Sequence, residues 1–155
     1  MVTKIEASNI TNTGVVSGTY INPTIQVNEQ GQVTSAVNNS GSEIFNILTG
    51  ATGIVEHNYN LSAIWLHNSV AANFTANFTN VPTTNGTAIS FALLINQGAS
   101  AYYPNLVQIG GENQTILWTD NSTPTPLANK TELYSFLLIR NGSTWKVLGS
   151  SASFG

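Results

Sequence analysis

Residues 114–149 read QTILWTDNSTPTPLANKTELYSFLLIRNGSTWKVLG. A short apolar run, Ile116-Leu117-Trp118, leads into a polar loop interrupted by Pro124 and Pro126. After Ala128-Asn129-Lys130 comes a long apolar segment, 133–139, and Arg140-Asn141-Gly142-Ser143 turns the chain into Trp145-Lys146-Val147-Leu148-Gly149. An Asn-Gly pair between apolar runs is the strongest short hairpin signal, because both residues tolerate the positive φ of a type I′ turn. This stretch is therefore β structure closed by a hairpin, and Trp118, Phe136 and Trp145 are its candidate core residues.

Working outward, the same pattern recurs. Strands are expected at 44–49, 54–59, 61–67, 72–78, 88–96, 102–109, 115–118, 133–140 and 144–148, with turn signals at Gly50 to Gly53, Pro82 to Gly86, Gln97-Gly98 and Gly110-Gly111. Many short strands without a 3.6-residue period predict an all-β protein, an antiparallel β-sandwich of jelly-roll-like form. The run 88–96, AISFALLIN, is nearly all apolar and is expected to lie buried on both faces, as is 136–139.

Three regions follow: an extended attachment arm at 1–16, a β-hairpin module at 17–42 and the β-sandwich domain at 43–155. The arm sets Ile5, Ile10, Val15 and Val16 among Asn, Thr and Ser. It buries too little to fold alone, but it could add a strand to an exposed sheet edge. In the module, 24–28 and 32–37 alternate around Glu29-Gln30-Gly31, with Ile25, Val27, Val33 and Val37 as inward positions. An isolated hairpin is marginal in water, so this apolar face must dock on the sandwich or pair with copies of itself. Pairing with copies makes those four residues an oligomer interface.

Composition excludes several classes. Only 7% of residues are charged, against about 25% in an ordinary soluble domain, while 41% are hydrophobic, which argues against disorder. The four basic residues, Lys4, Lys130, Arg140 and Lys146, are scattered, so no phosphate-tracking stripe exists and nucleic-acid binding is not expected. There is no cysteine, no apolar run long enough to insert in a membrane, and no apolar core of a signal peptide near the first residue. The Asn-x-Ser/Thr sequons are put down to a composition rich in Asn and Thr.

Chemistry-bearing constellations are absent from the sequence. The seven carboxylates lie apart, serines have no nucleophile-elbow setting and Gly110-Gly111 is a bare turn, so the chain is read as no enzyme and as needing no cofactor. His57 and His67 lack the converging partners of a metal site and read as surface or interface residues. Trp65, Trp118, Trp145 and the pair Tyr102-Tyr103 could stack on sugars. The tryptophans are better read as core, which leaves Tyr102 and Tyr103 as candidate contacts with a host surface glycan.

The order of Trp-ended strand, Pro loop, Ala-Asn-Lys segment, aromatic strand and Gly-turn-Trp hairpin resembles the C-terminal β domain of small structural proteins of tailed bacteriophages, notably those of marine and cyanobacterial hosts. The resemblance spans residues 61–149. Residues 18–35, GTYINPTIQVNEQGQVTS, are also similar to a segment recurring in phage tail-fibre and head-surface proteins. The resemblance implies a virion structural protein, made in the host cytoplasm and carried on the outer capsid surface or in a fibre. A homotrimeric capsid decoration or cement protein, bound to the major capsid protein or another virion protein, is the first expectation. A tail- or head-fibre component with an adhesin role is the alternative. A fibre needs a shaft, for which the residues before the sandwich leave little room.

Overall fold

A computed structural model describes residues 14–20, 23–37 and 43–155. The chain divides into two compact units, Met1–Glu43 and Ile44–Gly155. Ile5 and Ile10 of the expected arm lie outside the described residues, while Val15 is half-buried and Val16 is exposed.

The first unit contains strands β1 (Thr24–Val27) and β2 (Val33–Val37), paired antiparallel. Asn28 builds the turn. Its Oδ1 accepts the main-chain N–H groups of Gln30 at 3.1 Å and Gln32 at 2.8 Å, and its Nδ2 donates to Gln32 Oε1 at 2.8 Å. Gly31 takes the positive φ of +77° that closes the loop. A bulge inserts Thr34, so Val27 faces Val33 while Gln26 faces Ser35. Directly opposed residues share a face. Ile25 and Ala36 therefore lie with Val27 and Val33, whereas Val37 is opposite Thr24 on the other side. The expected single face of Ile25, Val27, Val33 and Val37 is corrected to the first three. The bulge shifts the parity of β2, and alternation alone does not reveal a bulge.

The second unit is a sandwich of two sheets. Its strands are β3 (Phe45–Thr49), β4 (Gly53–Asn58), β5 (Ile64–Asn68), β6 (Phe74–Thr79), β7 (Ala88–Asn96), β8 (Pro104–Ile109), β9 (Glu112–Gln114), β10 (Ile116–Trp118), β11 (Thr131–Asn141) and β12 (Thr144–Phe154). One sheet has the order β10-β12-β11-β7-β5-β3 and the other β4-β6-β8-β9. From β3 to β8 the chain alternates between the sheets, and each strand pairs in parallel with the strand two before it. The all-β, two-sheet expectation stands, but its strictly antiparallel pairing is corrected: this half winds as a coil, as β-solenoids do.

Link length explains the winding. Between β3 and β4 stand only Gly50, Ala51 and Thr52, and three extended residues reach about 10 Å, the distance between stacked sheets. Positive φ at Gly50 and Gly53 (+71° and +64°) turns the corner into the other layer. Successive corners stack on one another through Gly50 N–H to Asn68 O at 3.0 Å and Ala71 N–H to Ala51 O at 3.0 Å. The remaining strands close the sandwich differently. β11 lies antiparallel between β7 and β12, and β10 runs parallel to β12. The β11–β12 turn has Gly142 and Ser143 at its centre, since Asn141 pairs with Thr144. Only Gly142 has a positive φ there (+60°), so the turn follows the II′ pattern and not the expected I′.

Side chains from both sheets meet between them. Phe74, Ala76, Phe78, Val107 and Ile109 of the four-stranded sheet face Trp65, Phe91, Leu93, Ile95, Tyr134, Phe136 and Leu138 of the six-stranded one. Phe78 stacks on Phe91 with centroids 4.2 Å apart and touches Phe136 at 5.6 Å. Phe136 is buried, while Trp118 and Trp145 are half-buried and pack on the core edge. Gly149 allows Trp118 to close over β12, because a Cβ at that position would stand 2.7 Å from the indole. Strand β7 buries Ile89, Phe91, Leu93 and Ile95, while Ala92 and Leu94 on its other face are half-buried and Ala88, Ser90 and Asn96 exposed. The expectation of burial on both faces is corrected: only one face of this strand is fully buried.

Candidate functional site

The exposed apolar strip of the first unit is the most distinctive surface that the expectations singled out. Ile25, Val27, Val33 and Val37 are all exposed, and Ile25 and Val27 keep 53% and 62% of their surface in solvent. Pairing across the bulge sets Ile25, Val27 and Val33 on one side of a two-stranded ribbon and Val37 on the other, and a ribbon has no second layer in which to bury either set.

Tyr102 and Tyr103 occupy the link that enters β8, and a buried polar network fixes it. Glu132, on the inward side of β11, is buried. Its Oε2 accepts from Gln97 Nε2 and from the Tyr134 hydroxyl, each at 2.7 Å, and its Oε1 accepts the Leu127 N–H at 2.8 Å. The Gln97 amide in turn holds the Tyr102 main chain, donating to its carbonyl at 2.6 Å and accepting its N–H at 3.0 Å. Burial, followed by the bond to Glu132, pushes the Tyr134 phenol well above its usual range, so it stays a neutral donor. Tyr103 stacks on Tyr134 with centroids 6.2 Å apart. One of its faces is thereby committed to packing.

The histidines correct their sequence reading. His57 of β4 and His67 of β5 are completely buried and meet across the two sheets, with Nε2 atoms 3.0 Å apart. At that distance one ring donates to the other. Neither Nδ1 has a hydrogen-bond partner among the described residues. Trp65 packs edge-on to His57 at 5.2 Å, and Phe74 and Phe78 complete an aromatic cage. Burial, and then the neighbouring His67, lowers the pKa of His57 to about 3, with the Val55 main chain pulling weakly the other way. Burial lowers His67 to about 4. Both rings are neutral at neutral pH and act as a polar clasp between the layers. Strand parity carried this signal: His57 follows Val55 and His67 follows Trp65 at inward spacing.

A wide cleft of about 650 Å³ opens beside the β11–β12 turn, between Trp145, Arg140, Glu112, Gln114 and Asn80. The Arg140 guanidinium lies 5.1 Å from the Trp145 ring centroid, and its buried Nε has no hydrogen-bond partner among the described residues. Trp65, by contrast, is deeply buried and donates its indole N–H to Ser62 O at 3.0 Å, so it cannot serve as a sugar platform. Among the described residues no three His, Cys, Asp or Glu side chains gather as metal ligands. No helix among them is long and apolar enough to cross a membrane. No family model matches this chain, and no curated protein or solved structure does so either.

Proposed function

We propose that this protein is a non-enzymatic structural component of a tailed-phage particle, a homotrimeric decoration or cement protein on the outer head surface. The observation that supports it most is the first unit, a ribbon whose Ile25, Val27 and Val33 have no core of their own and leave an uncharged apolar strip exposed. In this reading the arm, with Ile5, Ile10, Val15 and Val16, grips the major capsid protein or another virion protein by strand addition. The hairpin joins the copies and the sandwich faces outward. Quantitative mass spectrometry of purified particles tests it: hundreds of copies per particle are expected, and absence from particles overturns it. Deleting residues 1–16 should leave the sandwich folded and abolish incorporation; normal occupancy of the truncated protein would remove the arm from the account.

A second reading, a fibre component that touches host glycans, is favoured by the Trp145–Arg140 cleft, where an aromatic edge stands beside Glu112, Gln114 and Asn80. A handful of copies per particle, together with loss of host adsorption on Trp145→Ala, would select it over decoration.

A further inference from the structure

The two outer faces of the sandwich are unlike. Across the four-stranded sheet one outward row reads Glu56, Asn77, Gln108, Asn113. Ile54 and Leu106 interrupt this polar surface at one end. Across the six-stranded sheet the corresponding row reads Ile47, Leu66, Leu94, Leu133, Ala152, in register over five strands. The next row begins Phe45, Ile64, Ala92, and further along Leu137 faces Leu148, which in turn faces Leu117. Leu66, Leu94, Leu133 and Leu137 alternate with residues buried in the core, so they point away from it, and the register carries Phe45, Ile47, Leu117, Leu148 and Ala152 to the same side. Phe45 and Ile47 are 51% and 58% exposed. Lys146, beside Ile139 at one end, is the only charged side chain at the outward positions of this sheet.

We infer that the outer face of the six-stranded sheet is a homotypic interface, covered by the same face of another copy of this chain. Strands apolar on both sides belong to sheets covered on both sides, and contiguous apolar rows of this extent, half-buried at the centre and exposed at Phe45, Ile47, Leu117 and Leu148, mark interaction surfaces. Charge selects the occupant: two copies of a face whose single cation sits at its margin meet without opposing like charges in the centre. Size agrees as well. Six strands of three to eleven residues, about 4.8 Å apart and rising about 3.3 Å per residue, make a face of roughly 700 Å². Each partner in a stable interface contributes about 800 Å². The inference deepens the self-assembly part of the proposed function but rests on a different unit, and it would hold for a protein outside any virion.

The chain has no native cysteine, so single thiols report cleanly. In the full-length protein, Leu133→Cys should be joined to a second chain by a short bis-maleimide, whereas Gln108→Cys on the polar face should not. Light scattering of the wild type should give a multiple of 16.5 kDa. Leu94→Lys should lower that mass with an unchanged circular dichroism spectrum. A hairpin variant, Ile25→Lys with Val27→Lys, separates the two interfaces. If it alone dissociates the assembly while Leu133→Cys stays unlinked, the hairpin reading survives and this inference falls. A monomeric wild type, equal cross-linking of both thiols, or a Leu133→Cys thiol shielded from alkylation in a monomer overturns it as well.

Discussion

The hairpin unit and the sandwich unit obey the same two-residue alternation and end in opposite physical situations. In β1 and β2, Ile25, Val27 and Val33 share a side and remain in water. In β6, β7 and β11 the same alternation sends Phe78, Phe91 and Phe136 into a second layer, where they lose nearly all their exposure. Periodicity chooses the side of a strand, but burial requires an opposing sheet. That layer exists only where short links carry the chain across, as Gly50 to Thr52 do between β3 and β4.

If burial in the sandwich holds the protein together, acid should weaken it first, at the histidine clasp. Both histidines have pKa values below the ordinary 6.5, near 3 and near 4. The stability that depends on their neutral forms is complete above pH 6.5 and drains away as pH falls toward the folded-state values. By pH 4 the pair together should have lost on the order of a few kcal/mol. Denaturant midpoints should fall steeply between pH 6.5 and 4, and the double variant His57→Phe/His67→Phe should flatten the slope. An unchanged slope in that variant would take the clasp out of the account.

Phe78→Ala strikes the same contrast through packing. It empties the space between Phe91 and Phe136 and should cost roughly 3–5 kcal/mol, read as a shift in urea midpoint. A loss below 1 kcal/mol would mean that the two sheets do not depend on this stack. Gly149→Ala is a smaller test. Its Cβ would stand 2.7 Å from the Trp118 ring and 2.8 Å from Ile116, so about 1–3 kcal/mol of overpacking strain is expected, with altered Trp fluorescence. An unperturbed emission spectrum would show that Trp118 does not lie over β12.

The smallest effect should come from the hairpin. Ile25→Ala with Val27→Ala removes side chains that are already in water, so sandwich stability should move by less than about 0.5 kcal/mol. Self-association and particle incorporation should drop nonetheless. A large thermal shift with intact association would reverse the roles given to the two units.

Much of the second unit was legible in the sequence. The run 88–96 is a strand with the expected limits, and the apolar part of 114–149 supplies β10, β11 and β12. The Gly142 turn was located correctly, although its type was not. Tyr102 and Tyr103 fall on a link, but the Gln97–Glu132 network that fixes it could not be foreseen. Its members stand 35 residues apart and meet only through folding.

Alternation, glycines and the scarcity of charge determined from the sequence alone that the chain is all-β, which residues share a side in strands without a bulge, and where it turns. Tertiary structure decided everything that depends on a partner strand. A period of two is the same in parallel and antiparallel pairs, so the coil of β3 to β8 became visible only in three dimensions. The bulge at Thr34 moved Val37 across the ribbon. The two histidines, ten residues apart in sequence, became a buried clasp because the strands bearing them lie in opposite layers. Which apolar face stays wet was settled in the same way: side chains on both faces of a strand read alike in sequence, and only the stacking of the sheets chooses the one to cover.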